Sequence, residues 1–180
     1  MESGVCHFGY AGGIDSAGVT RIAAALNSAA NAGADEVHFC FSSMGGYVAD
    51  GIYLYNHIRA LPLRLVAYNV GSVSSIAVAV FLAADKRYCS AHAMFMIHPT
   101  VMPSSEGMGA ERLQSALDAA LADDTRTESI LRERARIPDR LLTDRRAKDV
   151  HIGPEQAAEY GIVHGVREFA LPRGQQIVQV

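Results

Sequence analysis

Leu63-Arg64-Leu65-Val66-Ala67-Tyr68-Asn69-Val70, then Gly71-Ser72-Val73-Ser74-Ser75, then Ile76-Ala77-Val78-Ala79-Val80-Phe81-Leu82-Ala83-Ala84 is the stretch on which the architecture turns. It reads as a strand, a glycine-containing turn and an apolar helix. The last segment is too hydrophobic all round for a surface helix, so it belongs in a core. It is also too short to cross a membrane, which takes roughly 18 to 20 apolar residues. Upstream, Val5 to Tyr10, Ser16 to Ala32 and Val37 to Phe41 give a β-α-β rhythm. Asp15 or Ser16 caps the first helix, whose apolar residues Val19, Ile22, Ala23, Leu26 and Ala30 share a face, and Gly33 stops it. Ser42-Ser43-Met44-Gly45-Gly46 then leads into a helix from Tyr47 to Ala60, closed by Leu61-Pro62.

Downstream, the charged turn Asp85-Lys86-Arg87 precedes strands Tyr88 to Ser90 and Ala93 to Ile97, the second ending at His98-Pro99. Thr100 to Gly109 lacks periodicity and reads as a loop or irregular strand. Glu111 to Arg136 is a long, charged amphipathic helix striped by Leu113, Leu117, Leu121, Ile130 and Leu131; without a sustained heptad it is a helix with one packed face, suited to oligomer packing. Short helices follow over Asp139 to Arg146 and Pro154 to Tyr160, and a final strand over Val163 to Phe169. No internal repeat or low-complexity linker interrupts the pattern.

Of the 180 residues, 49% are hydrophobic and 19% charged, which suits one domain over 1–180 with a sizeable core. A net charge of −3 leaves no basic excess for a phosphate backbone, so nucleic acid is not an expected partner. Cys6, Cys40 and Cys89 are widely spaced in apolar stretches and read as reduced core thiols of a cytoplasmic protein. Met1 to Gly4 has neither a cationic nor an apolar leader segment, so neither secretion nor membrane insertion is expected. His38, His57, His92, His151 and His164 show no HxxxH or HExxH spacing, so no metal site is expected.

Chemistry is therefore sought by position. Ser75 stands at the start of the buried helix, where unpaired amides can hold an oxyanion; capping by Ser74 or Ser75 is the plainer explanation. Gly45-Gly46 lies at a second strand-to-helix junction and lets backbone N–H groups approach a ligand, although a bare turn has the same look and no phosphate-loop pattern surrounds it. His98 ends an apolar strand, where a solvent-facing side chain is the alternative. Asp149 follows Arg145-Arg146-Ala147-Lys148, a setting that ordinarily gives a surface salt bridge.

Taken in order, Ser42-Ser43-Met44-Gly45-Gly46, Gly71-Ser72-Val73-Ser74-Ser75-Ile76-Ala77, Met96-Ile97-His98-Pro99 and Glu159-Tyr160-Gly161 resemble the proteolytic subunit of the Clp protease, across nearly all of the chain from Val5 to Val166. The resemblance implies an α/β, ClpP/crotonase-type fold of repeated β-β-α units with a protruding handle helix matching 111–136. It places the nucleophile on Ser75, the general base on His98 and, counting back from Glu159-Tyr160-Gly161, the orienting acid on Asp149. The oxyanion-hole amides fall on Gly46 and Ile76. Homo-oligomeric stacked rings that enclose the sites and admit peptides or unfolded proteins are implied as well.

Departures accompany the matches. The resemblance implies an ATP-driven unfoldase as a partner, although only Met1 to Gly4 precede the first strand, where the family carries a helix and axial loop. The family's Ser-Pro-Gly-Gly is Ser43-Met44-Gly45-Gly46 here, and its His-Gln-Pro is His98-Pro99, one residue shorter, followed by Thr100 to Gly109 with Pro103 in place of a glycine-rich stretch. Serine endopeptidase chemistry, which needs no metal or organic cofactor, is the expected activity. The rivals are a catalytically silent assembly subunit, a crotonase-type acyl-CoA enzyme, for which no carboxylate pair stands beside Gly46 or Ser75 in sequence, and a Ser/Lys-dyad peptidase using Lys86 or Lys148.

Overall fold

The computed structural model describes residues 4–102 and 107–180. Met1 to Ser3, and the Pro103 part of the irregular stretch, lie outside the described residues.

The β-α-β rhythm holds through the first half. Strand β1 (Val5–Ala11) is followed by α1 (Ser16–Asn31), β2 (Glu36–Ser43), α2 (Val48–Ala60), β3 (Arg64–Ser74) and α3 (Ile76–Leu82). Asp15 caps α1, its carboxylate accepting from the Gly18 N–H at 2.8 Å. Gly33 follows the helix in the left-handed region at φ 79°, where glycine carries no Cβ penalty. Every residue of α3 is buried, as its uniform apolarity requires. Gly51 of α2 lets that helix close on α3, since a Cβ there would lie 2.2 Å from Ile76 Cγ1.

The second half contributes β4 (Lys86–Cys89), β5 (Met94–Ile97), α4 (Ala110–Arg134), α5 (Asp139–Asp144), β6 (Val150–Ile152), α6 (Pro154–Glu159) and β7 (Ile177–Gln179). Seven strands form one sheet in the order β6-β5-β3-β2-β1-β7, with β4 also paired to β3; all pairs are parallel except β5 with β6. Helices α1 to α3 pack with the sheet around a core that includes Ile22, Leu26, Phe41, Leu54, Val80, Phe81 and Phe95.

Three expectations are corrected. Gly71 to Ser74 is no turn: β3 runs through it, pairing β4 along Val66 to Asn69 and then β5 along Ser72 to Ser74. The polar residues satisfy ladder positions after the register shifts opposite Phe41 and Ser43. Val163 to Phe169 forms no strand beyond an isolated Cys89–Val166 bridge, and the last strand is β7, laid on β1. The leucine stripe of α4 is packed only at its C-terminal end: Ile130 and Leu131 are buried, whereas Leu113, Leu117 and Leu121 are exposed. No helix among the described residues is long and apolar enough to cross a membrane.

Candidate active site

The sheet gathers the sequence-selected residues at one edge. Strands β2, β3 and β5 are parallel, so Gly45-Gly46, Ser75 and His98 all emerge beyond carboxyl ends, where ligand sites of open α/β sheets form. Strand β6 runs the other way, so its start reaches the same edge. Its register pairs Met96 with His151 and Ile97 with Val150, and the pairing ends there, one residue short of His98 and of Asp149.

Ser75 is held in a sharp bend at φ 58° and ψ −134°, and among the described residues it is the one non-glycine with positive φ. Such a conformation costs about 1 to 3 kcal/mol and persists only where surroundings impose it. The Ser75 N–H donates to the Met96 carbonyl at 2.8 Å, which ties the bend to β5. Although Ser75 occupies the cap position of α3, its side chain makes no capping hydrogen bond. Capping therefore does not account for this serine. With the Ser75 amide engaged, the next N–H is that of Ile76, the first helical residue, which has no intrahelical acceptor.

The Gly-Gly junction is sterically obligatory. Gly45 has φ 96°, and a Cβ there would lie 2.7 Å from the Ser75 Cβ; at Gly46 it would lie 2.1 Å from the Ile14 carbonyl oxygen. The Ile14 N–H donates to the Gly45 carbonyl and the Tyr47 N–H to the Ile14 carbonyl, each at 2.8 Å. Because a trans peptide points its C=O and N–H in opposite directions, the Gly46 N–H is turned away from Ile14.

Gly46, Ser75, Ile76 and His98 line one cavity of about 220 Å³, whose far wall is α4 through Asp123, Asp124, Thr127 and Leu131. Asp149 is exposed and does not line it. Among the described residues Asp149 makes neither a side-chain hydrogen bond to His98 nor an ion pair. Lys148 pairs with Asp144 at 3.5 Å and is likewise absent from the cavity wall, as is Lys86.

Sequence reading missed Arg145, taken there as part of an exposed basic run. Its side chain is only 1% exposed and lines the cavity, lying 3.7 Å from the Asp124 carboxylate and 3.4 Å from that of Glu128. Burial alone would raise the Glu128 carboxyl, but hydrogen bonds from Arg146 and Arg132, with the charges of Arg146 and Arg145, hold it below its usual range. The one available signal was pairing potential: Asp124 and Glu128 lie four residues apart on a single helix face.

Two of the three cysteines, Cys40 and Cys89, are unsuited to nucleophilic chemistry. Burial pushes the Cys40 and Cys89 thiols up to about 11, which keeps them protonated. His7 and His38 stack with centroids 5.2 Å apart, away from the cavity. Among the described residues no group of three or more His, Cys, Asp or Glu side chains is placed to hold a metal ion.

Comparison with known proteins adds the lineage of this arrangement. The Clp protease family matches over residues 8–169. The ATP-dependent Clp protease proteolytic subunit 2 of Pseudomonas aeruginosa is 26% identical over 178 residues, covering 89% of this chain and 82% of that protein. Proteolytic subunit 2 of Chlamydia muridarum is 28% identical over 136 residues, 73% of this chain and 64% of the relative, so the chain spans less than two thirds of that protein. Among solved structures, a variant of ClpP1 from Listeria monocytogenes shares the fold with a TM-score of 0.80 at 18% identity, with 91% of each chain covered.

Proposed function

The chain belongs to the Clp protease family, and from that premise we propose that it is a serine endopeptidase whose nucleophile is Ser75. The observation that carries the proposal is the strained Ser75 bend, with its hydroxyl released from capping, in a cavity shared with His98. His98 takes the hydroxyl proton as Ser75 attacks a peptide carbonyl; the protonated imidazole then passes that proton to the departing amine, leaving an acyl-enzyme that water releases. The orienting acid of the resemblance falls on Asp149, just before β6; its carboxylate is exposed here and orients the ring only after turning to meet it. The amides of Gly46 and Ile76 stabilise the tetrahedral oxyanion, with one such donor worth about 3 to 4 kcal/mol. Copies assemble into stacked rings, so the substrates are peptides or unfolded chains able to enter. A role for an ATP-driven unfoldase is part of the same proposal.

Intact mass after exposure to a fluorophosphonate tests it. One adduct per chain is expected on the wild type and none on Ser75→Ala or His98→Ala. The exposure of Asp149, without a hydrogen bond to His98, favours a second reading in which the subunit is silent and contributes only to assembly. An unlabelled wild type whose assembled mass is normal would support that reading and reject peptidase chemistry.

A further inference from the structure

Arg145 follows α5 directly, yet its guanidinium reaches into the cavity wall between β5 and α4. Nη1 donates to the His98 carbonyl at 3.1 Å. Nη2 donates to the Asp124 carbonyl at 3.3 Å and to the Glu128 carboxylate at 3.4 Å. The Asp124 carboxylate in turn accepts from the Thr100 N–H at 2.7 Å and the Thr100 hydroxyl at 2.9 Å. Residues 98 and 100 are thereby lashed to α4, one by its carbonyl and the other by its amide and hydroxyl. Pro99 between them offers no N–H of its own.

A buried arginine is costly unless its charge is matched, and here Asp124 and Glu128 match it. An apolar side chain would fill the same volume without that requirement. What the guanidinium adds is direction: it is oriented so that the Nη atoms reach their acceptors while the buried Nε is left without one. Among the described residues no side-chain hydrogen bond orients the His98 imidazole, so the placement of its backbone decides where the ring stands.

We propose that Arg145 is a positioning residue for His98, its hold on the His98 carbonyl setting where the imidazole stands relative to Ser75. The assignment rests on the peptidase reading and deepens it. It is tested on the full chain by the saturation kinetics of fluorophosphonate labelling, which separate the rate at saturating probe, kinact, from the apparent affinity, KI. Arg145→Met is expected to lower kinact about 10-fold or more with KI within about twofold. Arg145→Lys, which keeps the charge but not the planar fork, recovers part of that loss. A merely structural role would instead move KI and the unfolding midpoint together with kinact.

Wild-type kinact in a folded Arg145→Met overturns the assignment alone. Should that variant not fold, Arg145→Lys decides: its kinact lies about threefold or more below wild type at unchanged KI, and equality with wild type overturns the assignment. No adduct on the wild type overturns the peptidase reading, and this assignment with it.

Discussion

At Ser75 the backbone is placed for the hydroxyl rather than for stability. A serine at φ 58° and ψ −134° occupies a region that glycine enters freely and other residues do not. Ser75→Gly is accordingly expected to raise the unfolding free energy by about 1 kcal/mol while abolishing labelling, whereas Ser75→Ala abolishes labelling without that gain. Chemical denaturation of the three proteins measures it, and a Ser75→Gly protein no more stable than Ser75→Ala would deny the strain. Ser75 and His98 were legible in sequence because one opens an apolar helix and the other ends an apolar strand, and the fold brings both to one cavity. Arg145 was not, because a basic residue flanked by Arg146 and Lys148 looks solvated; its burial depends on carboxylates supplied about twenty residues earlier, by α4.

Among elements, α4 connects the site to the rest of the fold. Glu128 is the shared acceptor of Arg132, Arg145 and Arg146. Its folded carboxyl titrates below the ordinary value of 4.5, so its contribution to stability is fully present above that value and is lost as pH falls through the folded pKa. Glu128→Gln is therefore expected to be less stable near neutral pH and to lose less stability on acidification below about pH 4.5 than the wild type. Parallel loss in both proteins, followed by thermal unfolding against pH, would contradict it. Elements with strong periodicity or uniform apolarity, such as α1, α3 and α4, were legible within two residues at their ends. The three-residue strands β6 and β7 were not, since so short a segment has no readable period and owes its form to the neighbouring strand. Val163 to Phe169 has strand composition without a ladder partner beyond one bridge. Gly71 to Ser74 looked like a turn because its residues are small and polar; its extended form is imposed by the strands on either side.

For the whole molecule, the exposed half of α4 presents Leu113, Leu117 and Leu121 four residues apart. In the proposed ring assembly they meet other copies of the chain. Leu117→Glu is expected to shift native mass spectra toward smaller assemblies, since a charge buried in an apolar contact is strongly disfavoured; an unchanged assembled mass would exclude that face. The double pairing of β3 has a consequence of its own. One continuous strand belongs to two neighbourhoods, with the amides of Val66 to Asn69 beside β4 and those of Ser72 to Ser74 beside β5, on the same ladder that leads through Ser75 to His98. Deuterium uptake is therefore expected to divide along β3, and acylation of Ser75 to slow exchange in the later half, β5 and β6 while leaving the earlier half unchanged. The strand is then a ruler laid through the molecule, on which the reach of a bound substrate can be read amide by amide.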